Sequence, residues 1–143
     1  KGYFLDKKNS EKEYGKDIPD DIMKTIFFIA IGGAVGSVLR YLISRIFTTS
    51  FPLGTLVVNV IGCLLIGFFY GIFANRGCHL SSEVRAMLTV GLCGGFTTFS
   101  TFINDSCKLV SLDQYLQAGL YLSLSIILGF FALYLGQKTS LFV

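Results

Sequence analysis

Charge is scarce in this sequence after its first 24 residues. Asp, Glu, Lys and Arg make up 15% of the 143 residues, whereas a soluble domain usually carries about 25%. Half of the 12 basic residues and two thirds of the nine acidic residues precede Thr25. This distribution, with a mean hydropathy of +0.65, excludes an ordinary soluble domain and is typical of a membrane protein with a polar N-terminal extension.

The net charge is only +3 and is not clustered, which excludes the basic surface of a nucleic-acid-binding protein. The single histidine, His79, adjoins Cys78. This is not the usual spacing of zinc ligands, and no second ligand pair follows. Cys63, Cys93 and Cys107 lie in apolar or membrane-edge context, where a small buried residue is the simplest interpretation. Neither a cysteine–histidine metal site nor a disulfide is indicated.

We divide the chain into a polar N-terminal extension (1–23), a transmembrane domain (24–137) and a C-terminal tail (138–143). The extension alternates charges without an apolar period and lacks the organisation of a signal peptide. Pro19, followed by Asp20 and Asp21, predicts the lead into the first helix.

Four apolar segments predict an all-α membrane protein, because each reaches the roughly 20 residues needed to cross a bilayer. Short links between them make neighbouring helices antiparallel and place both termini on one side. The segments leave no soluble catalytic domain, and the sequence carries no P-loop, so we expect a protein that is not an enzyme. The predicted segments are Lys24–Phe47, Leu53–Ala74, Val84–Val110 and Tyr115–Gly136.

Basic residues outside the extension are only weakly biased toward one end of these segments. Outside the extension, the terminal side has Lys24, Arg76, Arg85 and Lys138, and the opposite side has Arg45 and Lys108. Basic residues normally accumulate on the cytoplasmic side and set the orientation of the chain. A bias this weak favours insertion in both orientations, and hence antiparallel pairing of two copies.

Few polar side chains interrupt the predicted spans, and such groups are costly in a membrane unless they pair or line a cavity. A lone threonine or serine can bond to a carbonyl one turn earlier. The amide of Asn59 cannot be satisfied fully in that way, although a bond between helices is an alternative to a functional role. Arg40 lies near a helix end, where a structural role is expected. The polar exceptions are Arg40, Thr55, Asn59, 97–101, Asn104, Asp105, Tyr121 and Ser125.

The stretch GGFTTFSTF, from Gly94 to Phe102, predicts that the third helix is broken near its middle. A glycine pair followed by β-branched threonines is poor helix sequence. Open backbone at membrane depth persists only inside protein or beside a cavity, where freed carbonyls can bind a cation. The phenylalanines repeat every three residues, and the positive edge of a phenyl ring can favour a small anion. A packing stripe is the alternative interpretation of this repeat.

Three segments, GGAVGSVLRY, GTLVVNVIG and GLCGGFTTFSTF, resemble the signature segments of the Fluc (CrcB-type) fluoride channels. The resemblance spans about residues 26 to 137 in the expected order. It implies an antiparallel, dual-topology homodimer with two narrow fluoride pores, spanning the cell membrane several times. The partners implied are fluoride, sodium, lipid and a second copy of the chain, with no nucleic acid.

The resemblance also assigns roles to individual residues. Phe99 and Phe102 would line the pore, with Asn59 as an amide donor beside them. The remaining pore positions implied are Thr55, Ser100, Thr101, Tyr121 and Ser125. A structural sodium ion at the dimer centre would be bound by the backbone carbonyls of Gly94 and Thr97 from both copies, with the glycines breaking the helix. Asp105 stands where the family often has Glu, which implies a change in anion access.

The function implied is passive export of fluoride that has accumulated in the cytoplasm, without an organic cofactor. A four-helix exporter of the small multidrug resistance type is the first alternative. That chemistry needs a carboxylate in the first helix, and residues 25–40 contain none. A structural subunit packed through glycines is the second alternative, but it leaves Asn59 and the hydroxyl-phenyl alternation unused.

Overall fold

The computed structural model describes residues 19–47, 49–74 and 79–140. Most of the extension, the last residues of the tail and Cys78 lie outside the described residues. All regular secondary structure among the described residues is helical. Its elements are α1 (Asp20–Ile46), α2 (Leu53–Ala74), α3 (Ser82–Ala86), a π-helical segment (Met87–Cys93), α4 (Gly94–Phe96), α5 (Phe99–Ser111) and α6 (Tyr115–Thr139).

Four helical stretches of the described residues are long and apolar enough to cross a membrane, as the sequence predicts. Three of them are α1, α2 and α6, and the third in chain order runs from Ser82 to Ser111 through the π-helical segment and a break. Pro19 precedes α1 with φ −52°, and Asp20 and Asp21 occupy its first turn. That arrangement suits a helix start, because proline presets φ and acidic groups complement the helix dipole.

Glycines let α1 approach the third span closely. A Cβ atom on Gly91 would lie 2.7 Å from the carbonyl oxygen of Ile29, and one on Gly95 would lie 2.6 Å from that of Gly33. Added Cβ atoms on Gly32 and Gly36 would also collide with backbone atoms of the π-helical segment. Small residues at such positions bring helix backbones together in lipid, where dispersion contacts replace the hydrophobic effect.

A second pair of helices, α2 and α6, also packs closely through glycines. Gly67 lies against the backbone of Leu133, and Gly136 lies against the backbone of Leu64 and Phe68. The contact is therefore reciprocal, with a glycine from each helix facing the other backbone. The fold consists of two tightly packed helix pairs, which meet around the break in the third span.

The break lies at Thr97 and Thr98, whose backbones are extended. Thr97 has φ −83° and ψ 160°, and Thr98 has φ −151° and ψ 115°. A break in the middle of this helix is thus confirmed, but the prediction that the glycines make it is wrong. Gly94 is right-handed helical, with φ −65° and ψ −39°, and Gly95 serves the contact with α1. The β-branched threonines, which favour extended backbone, form the break.

Much of the apolar side-chain surface is exposed in the single chain. Phe130 and Leu116 on α6 are each 77% exposed, and Ile46 on α1 is 73% exposed. Exposed apolar area on this scale is unusual for a soluble monomer and marks a surface that contacts lipid or protein. The outward-facing side chains of the helices are therefore apolar, as expected of membrane spans.

Candidate functional site

Asn59 on α2 holds the break in place through both atoms of its amide. Its Oδ1 accepts a hydrogen bond from the Thr98 backbone N–H at 2.9 Å, and its Nδ2 donates to the Thr98 carbonyl at 3.2 Å. The amide oxygen thus replaces the helical acceptor that the Thr98 N–H has lost, and the amide nitrogen adds a second donor to the Thr98 carbonyl, which as an N-cap carbonyl already accepts the first hydrogen bond of α5. An amide has two N–H donors, so one of them is left over after this pairing.

Thr98 also begins the helix that follows. Its Oγ1 accepts a hydrogen bond from the Thr101 backbone N–H at 3.2 Å and donates to the Thr101 hydroxyl at 3.0 Å. The side chain is therefore the N-cap of α5, a role in which threonine satisfies a backbone donor of the first turn.

These two interactions divert the N–H groups that a continuous helix would offer to Gly94 and Thr97. In a regular helix, Thr98 N–H bonds to the carbonyl of Gly94 and Thr101 N–H bonds to that of Thr97. Here the first donates to Asn59 and the second to the Thr98 hydroxyl. Both carbonyls that the family resemblance assigns to a sodium ion thereby lose their helical donors.

A row of aromatic rings begins immediately after the break. The ring centroids of Phe99 and Phe102 are 5.9 Å apart, and those of Phe102 and Tyr121 are 5.3 Å apart. Phe51 meets Tyr121 edge-on, at 5.7 Å and an interplanar angle of 90°. Phe99 is 75% exposed in the single chain, whereas Phe102 is 9% exposed. The row therefore runs from an open face of the chain into its core.

Asp105 is fixed by residues on two sides. The Thr55 hydroxyl donates to Asp105 Oδ2 at 2.7 Å, and Lys108 Nζ lies 3.8 Å from Asp105 Oδ1. The predicted pore residue Thr55 and the predicted access residue Asp105 are thus direct partners. Thr55 lies one helical turn from Asn59, as the sequence predicts, and it is buried.

Several buried polar atoms have no hydrogen-bond partner among the described residues: Tyr121 Oη, Ser125 Oγ, Gln114 Oε1, Gln117 Oε1 and Arg40 Nε. Buried polar groups are normally paired, so such atoms call for a ligand or water. Four of the five lie on α6 or directly before it, within an 80° arc at 100° per residue. Sequence reasoning found Tyr121 and Ser125 but missed Gln114 and Gln117, whose spacing shows the shared helical face but not the burial.

Three neighbouring cavities surround the break and share lining residues. The first, of about 310 Å³, is mostly apolar and is lined in part by Asn59, Thr98 and Phe99. The second, of about 260 Å³, shares Thr98 with the first and is also lined by Arg40 and Thr55. Arg40 therefore lines a cavity beside the break, a position that its predicted structural role did not anticipate.

The third cavity, of about 310 Å³, shares Thr55 with the second and reaches Asp105 and Lys108 at the end of α5. Ser100 is exposed beside the first cavity, and its hydroxyl lies 3.4 Å from that of Thr98. Ser100, Phe102, Tyr121 and Ser125 line none of the three cavities. The structure thus places four of the eight predicted pore residues, Thr55, Asn59, Phe99 and Thr101, on cavities beside the break, and ring contacts link Phe102 and Tyr121 to Phe99.

Comparison with known proteins gives a consistent result. The model of the family described as CrcB-like protein, Camphor Resistance (CrcB), matches residues 27–137. A Flavobacterium psychrophilum protein named fluoride-specific ion channel FluC is 48% identical over 118 residues, covering 80% of this chain and 94% of that protein. Proteins of the same name from Phocaeicola vulgatus and Shewanella woodyi are 47% and 42% identical, covering 80% and 81% of this chain and 96% and 95% of their own. The chain is a multi-pass membrane protein and belongs to the CrcB family.

Proposed function

We propose that this protein is a fluoride-selective ion channel that lets cytoplasmic fluoride leave the cell passively. The observation that carries the proposal is the double hydrogen bond between Asn59 and Thr98, which holds a helix break open beside the phenyl rings. The names of the relatives supply the ion, since each is called a fluoride-specific ion channel. The arrangement conducts an ion and performs no chemical step, so the protein acts as a channel rather than an enzyme.

Selectivity follows from the kind of ligand that the residues offer. The edges of Phe99 and Phe102 carry partial positive charge, and the second N–H of Asn59 remains available beside them. Such weak donors stabilise a small, strongly hydrogen-bonding anion without trapping it at a full positive charge. Narrow apolar walls also make the loss of water costly for anions that cannot regain it from these donors.

The hydroxyl groups extend this path through the protein. Tyr121 and Ser125 each have a buried oxygen without a partner among the described residues, so their O–H groups can donate to a passing ion. Thr101 and Thr55 both line the second cavity. On this proposal, the hydroxyl groups provide successive donors for fluoride beside the aromatic row. The path leads from Thr55 to the phenyl rings.

Passive export needs only this path and a gradient. Fluoride enters a cell as its neutral weak acid, ionises in the cytoplasm and cannot recross lipid as an anion. An inside-negative membrane potential drives each anion outward, by about 2.3 kcal/mol per 100 mV. The channel needs no nucleotide or organic cofactor for this transport.

We also propose that the working form is an antiparallel, dual-topology homodimer with two pores. Phe99 and Gly94 lie on an exposed face of the single chain, and the apolar cavity beside them is bounded by only one copy. A second copy on this face encloses the cavity and turns the exposed phenyl edge into a pore wall. The weak charge bias across the membrane supports opposite orientations of the two copies.

The sodium ion belongs to the same proposal. Na⁺ is coordinated by carbonyl oxygens of unwound membrane helices, and the carbonyls of Gly94 and Thr97 are those whose helical donors are diverted. The donor set therefore fits a hard cation. Two carbonyls from each copy would hold the ion at the dimer centre, where its charge fixes the two breaks relative to each other.

Fluoride efflux from liposomes tests the function. Purified protein is reconstituted in vesicles loaded with potassium fluoride, valinomycin is added, and external fluoride is followed with an electrode. We expect rapid fluoride release and negligible chloride release in a parallel run, with protein-free vesicles as the control. Folded dimers that release no fluoride would contradict the proposal and favour the exporter or structural alternatives.

A further inference from the structure

The third cavity, at the end of α5, has a charged rim to which the proposed pore gives no role. This cavity of about 310 Å³ is bounded by the link between α1 and α2 and by the last turns of α5. Hydroxyl groups of Ser44, Thr49 and Ser50 line it, and Asp105 and Lys108 are its charged residues. Through Thr55 it adjoins the cavity that contains Thr98 and therefore leads toward the break.

The two charges occupy different depths. The Asp105 side chain is 16% exposed, and its Oδ2 accepts the Thr55 hydroxyl at 2.7 Å. The Lys108 side chain is 67% exposed, and its Nζ lies 3.8 Å from Asp105 Oδ1. An anion that approaches from water therefore meets the ammonium group before the carboxylate.

This order matters because the carboxylate alone would repel the ion. A negative charge held inside the approach path raises the electrostatic energy of fluoride there, and partial burial weakens the screening by salt. Lys108, one turn further along α5, offsets that charge from the solvent side. An exposed ion pair contributes little to stability, so its position over the cavity is better explained by an effect on the ion.

We propose that this cavity is the fluoride entrance and that Lys108 is its anion-recruiting residue. This inference rests on the proposed channel function. Lys108 raises the local concentration of fluoride at the cavity and compensates Asp105, and neither effect requires direct contact within the pore. A unit charge about 4 Å away changes the local concentration of a monovalent ion roughly fivefold in water, and less as salt rises.

The test measures initial fluoride efflux at low fluoride from liposomes, in dilute buffer and again at about 0.5 M of an impermeant salt, where the Debye length is only a few ångströms. Three variants are compared with the unaltered protein: Lys108→Gln, Lys108→Arg and Lys138→Gln. Lys138 is the matched control, since it lies at the opposite end of the spans and contacts the ring of Tyr134 at 5.7 Å.

We expect Lys108→Gln to slow efflux by up to about fivefold in dilute buffer and by less than about twofold in high salt. Lys108→Arg and Lys138→Gln should match the unaltered protein in both buffers. A Lys108→Gln protein as fast as the unaltered one in dilute buffer would overturn the inference, and so would a defect that salt does not relieve. If the unaltered protein itself releases no fluoride, the channel function fails as well, so the two failures are distinguishable.

Discussion

At the scale of single residues, Asn59 is the side chain on which the break depends. Both of its amide atoms pair with the backbone of Thr98, and its oxygen replaces the helical acceptor that the Thr98 N–H has lost. Without it, the extended backbone would leave that N–H unpaired at membrane depth, which costs several kcal/mol, in the range of about 2–7.

Replacing Asn59 with Asp should therefore slow conduction strongly while leaving the chain similar in shape. The carboxylate cannot donate to the Thr98 carbonyl and repels both that oxygen and an approaching anion. A hydrogen bond to a charged group contributes about 1.5–3 kcal/mol, so we expect fluoride efflux to fall at least about tenfold. Liposome efflux gives the rate, and size-exclusion chromatography checks assembly. Unchanged efflux from Asn59→Asp would remove Asn59 from the pore.

Phe99 offers a second prediction, with a control on another helix. Phe99→Ile keeps an apolar side chain of similar bulk but removes the positively polarised ring edge. Phe130, on α6, is exposed to the same degree, at 77% against 75% for Phe99, and lines none of the three cavities. We expect Phe99→Ile to slow fluoride efflux by about two- to twelvefold, since aromatic edge interactions contribute about 0.5–1.5 kcal/mol each. Phe130→Ile should leave efflux unchanged; equal rates for both variants would contradict the phenyl-edge account.

The role of a polar residue was predictable where its own helix could not pair all of its hydrogen-bonding groups. Asn59 stood out for this reason, and the structure pairs it across helices. Gln114 and Gln117 were missed because glutamine near a helix end normally reaches water. The burial of their oxygens, which have no partner among the described residues, emerges only when the helices are packed. The position of Arg40 on a cavity likewise depends on neighbours that its own helix does not specify.

At the scale of helices, the glycines and threonines of the third span have different roles from those predicted. Gly95 permits contact between the third span and α1, and the threonines provide the extended backbone. Helix lengths were predictable, because apolar runs and bilayer thickness set them. The site of the break within Gly94–Phe102 was not, because it depends on which backbone groups Asn59 reaches on the neighbouring helix.

Two glycine substitutions test whether Gly95 serves the close contact with α1. A Cβ atom on Gly95 would lie 2.6 Å from the Gly33 carbonyl oxygen, whereas one on Gly119 of α6 would meet nothing within 4 Å. Gly95→Ala should therefore destabilise the fold by about 1–3 kcal/mol through overpacking. Gly119→Ala should be neutral or stabilising by up to about 1 kcal/mol. Thermal unfolding in detergent measures both, and a Gly95→Ala protein as stable as the unaltered one would contradict the close contact with α1.

At the scale of the whole molecule, the account requires two copies in opposite orientations. Four spans put both termini of one chain on one side of the membrane. The termini of an antiparallel partner are then on the other side. Sequence patterning suggested this arrangement through its weak charge bias, but the contacts of a dimer depend on shape complementarity between exposed faces. No pattern of charges specifies those contacts.

Tandem fusions test the orientation directly. Two copies joined by a flexible linker must insert in parallel, whereas two copies joined through one additional transmembrane helix insert in opposite orientations. We expect fluoride efflux from the fusion with the added helix and little from the direct fusion, provided that neither pairs with another tandem. Analytical ultracentrifugation selects the monomeric fusions for the assay. Greater efflux from the direct fusion would contradict the antiparallel dimer.

The reversal potential under bi-ionic conditions tests the central claim most directly. The channel is placed in a planar bilayer with potassium fluoride on one side and an equal concentration of potassium chloride on the other. Because the potassium concentrations are equal, any displacement of the reversal potential reports the ratio of the two anion permeabilities. A selective pore predicts a potential far from zero, with the sign that opposes fluoride movement. A reversal potential near zero would show that the channel does not distinguish fluoride from chloride and would contradict the account.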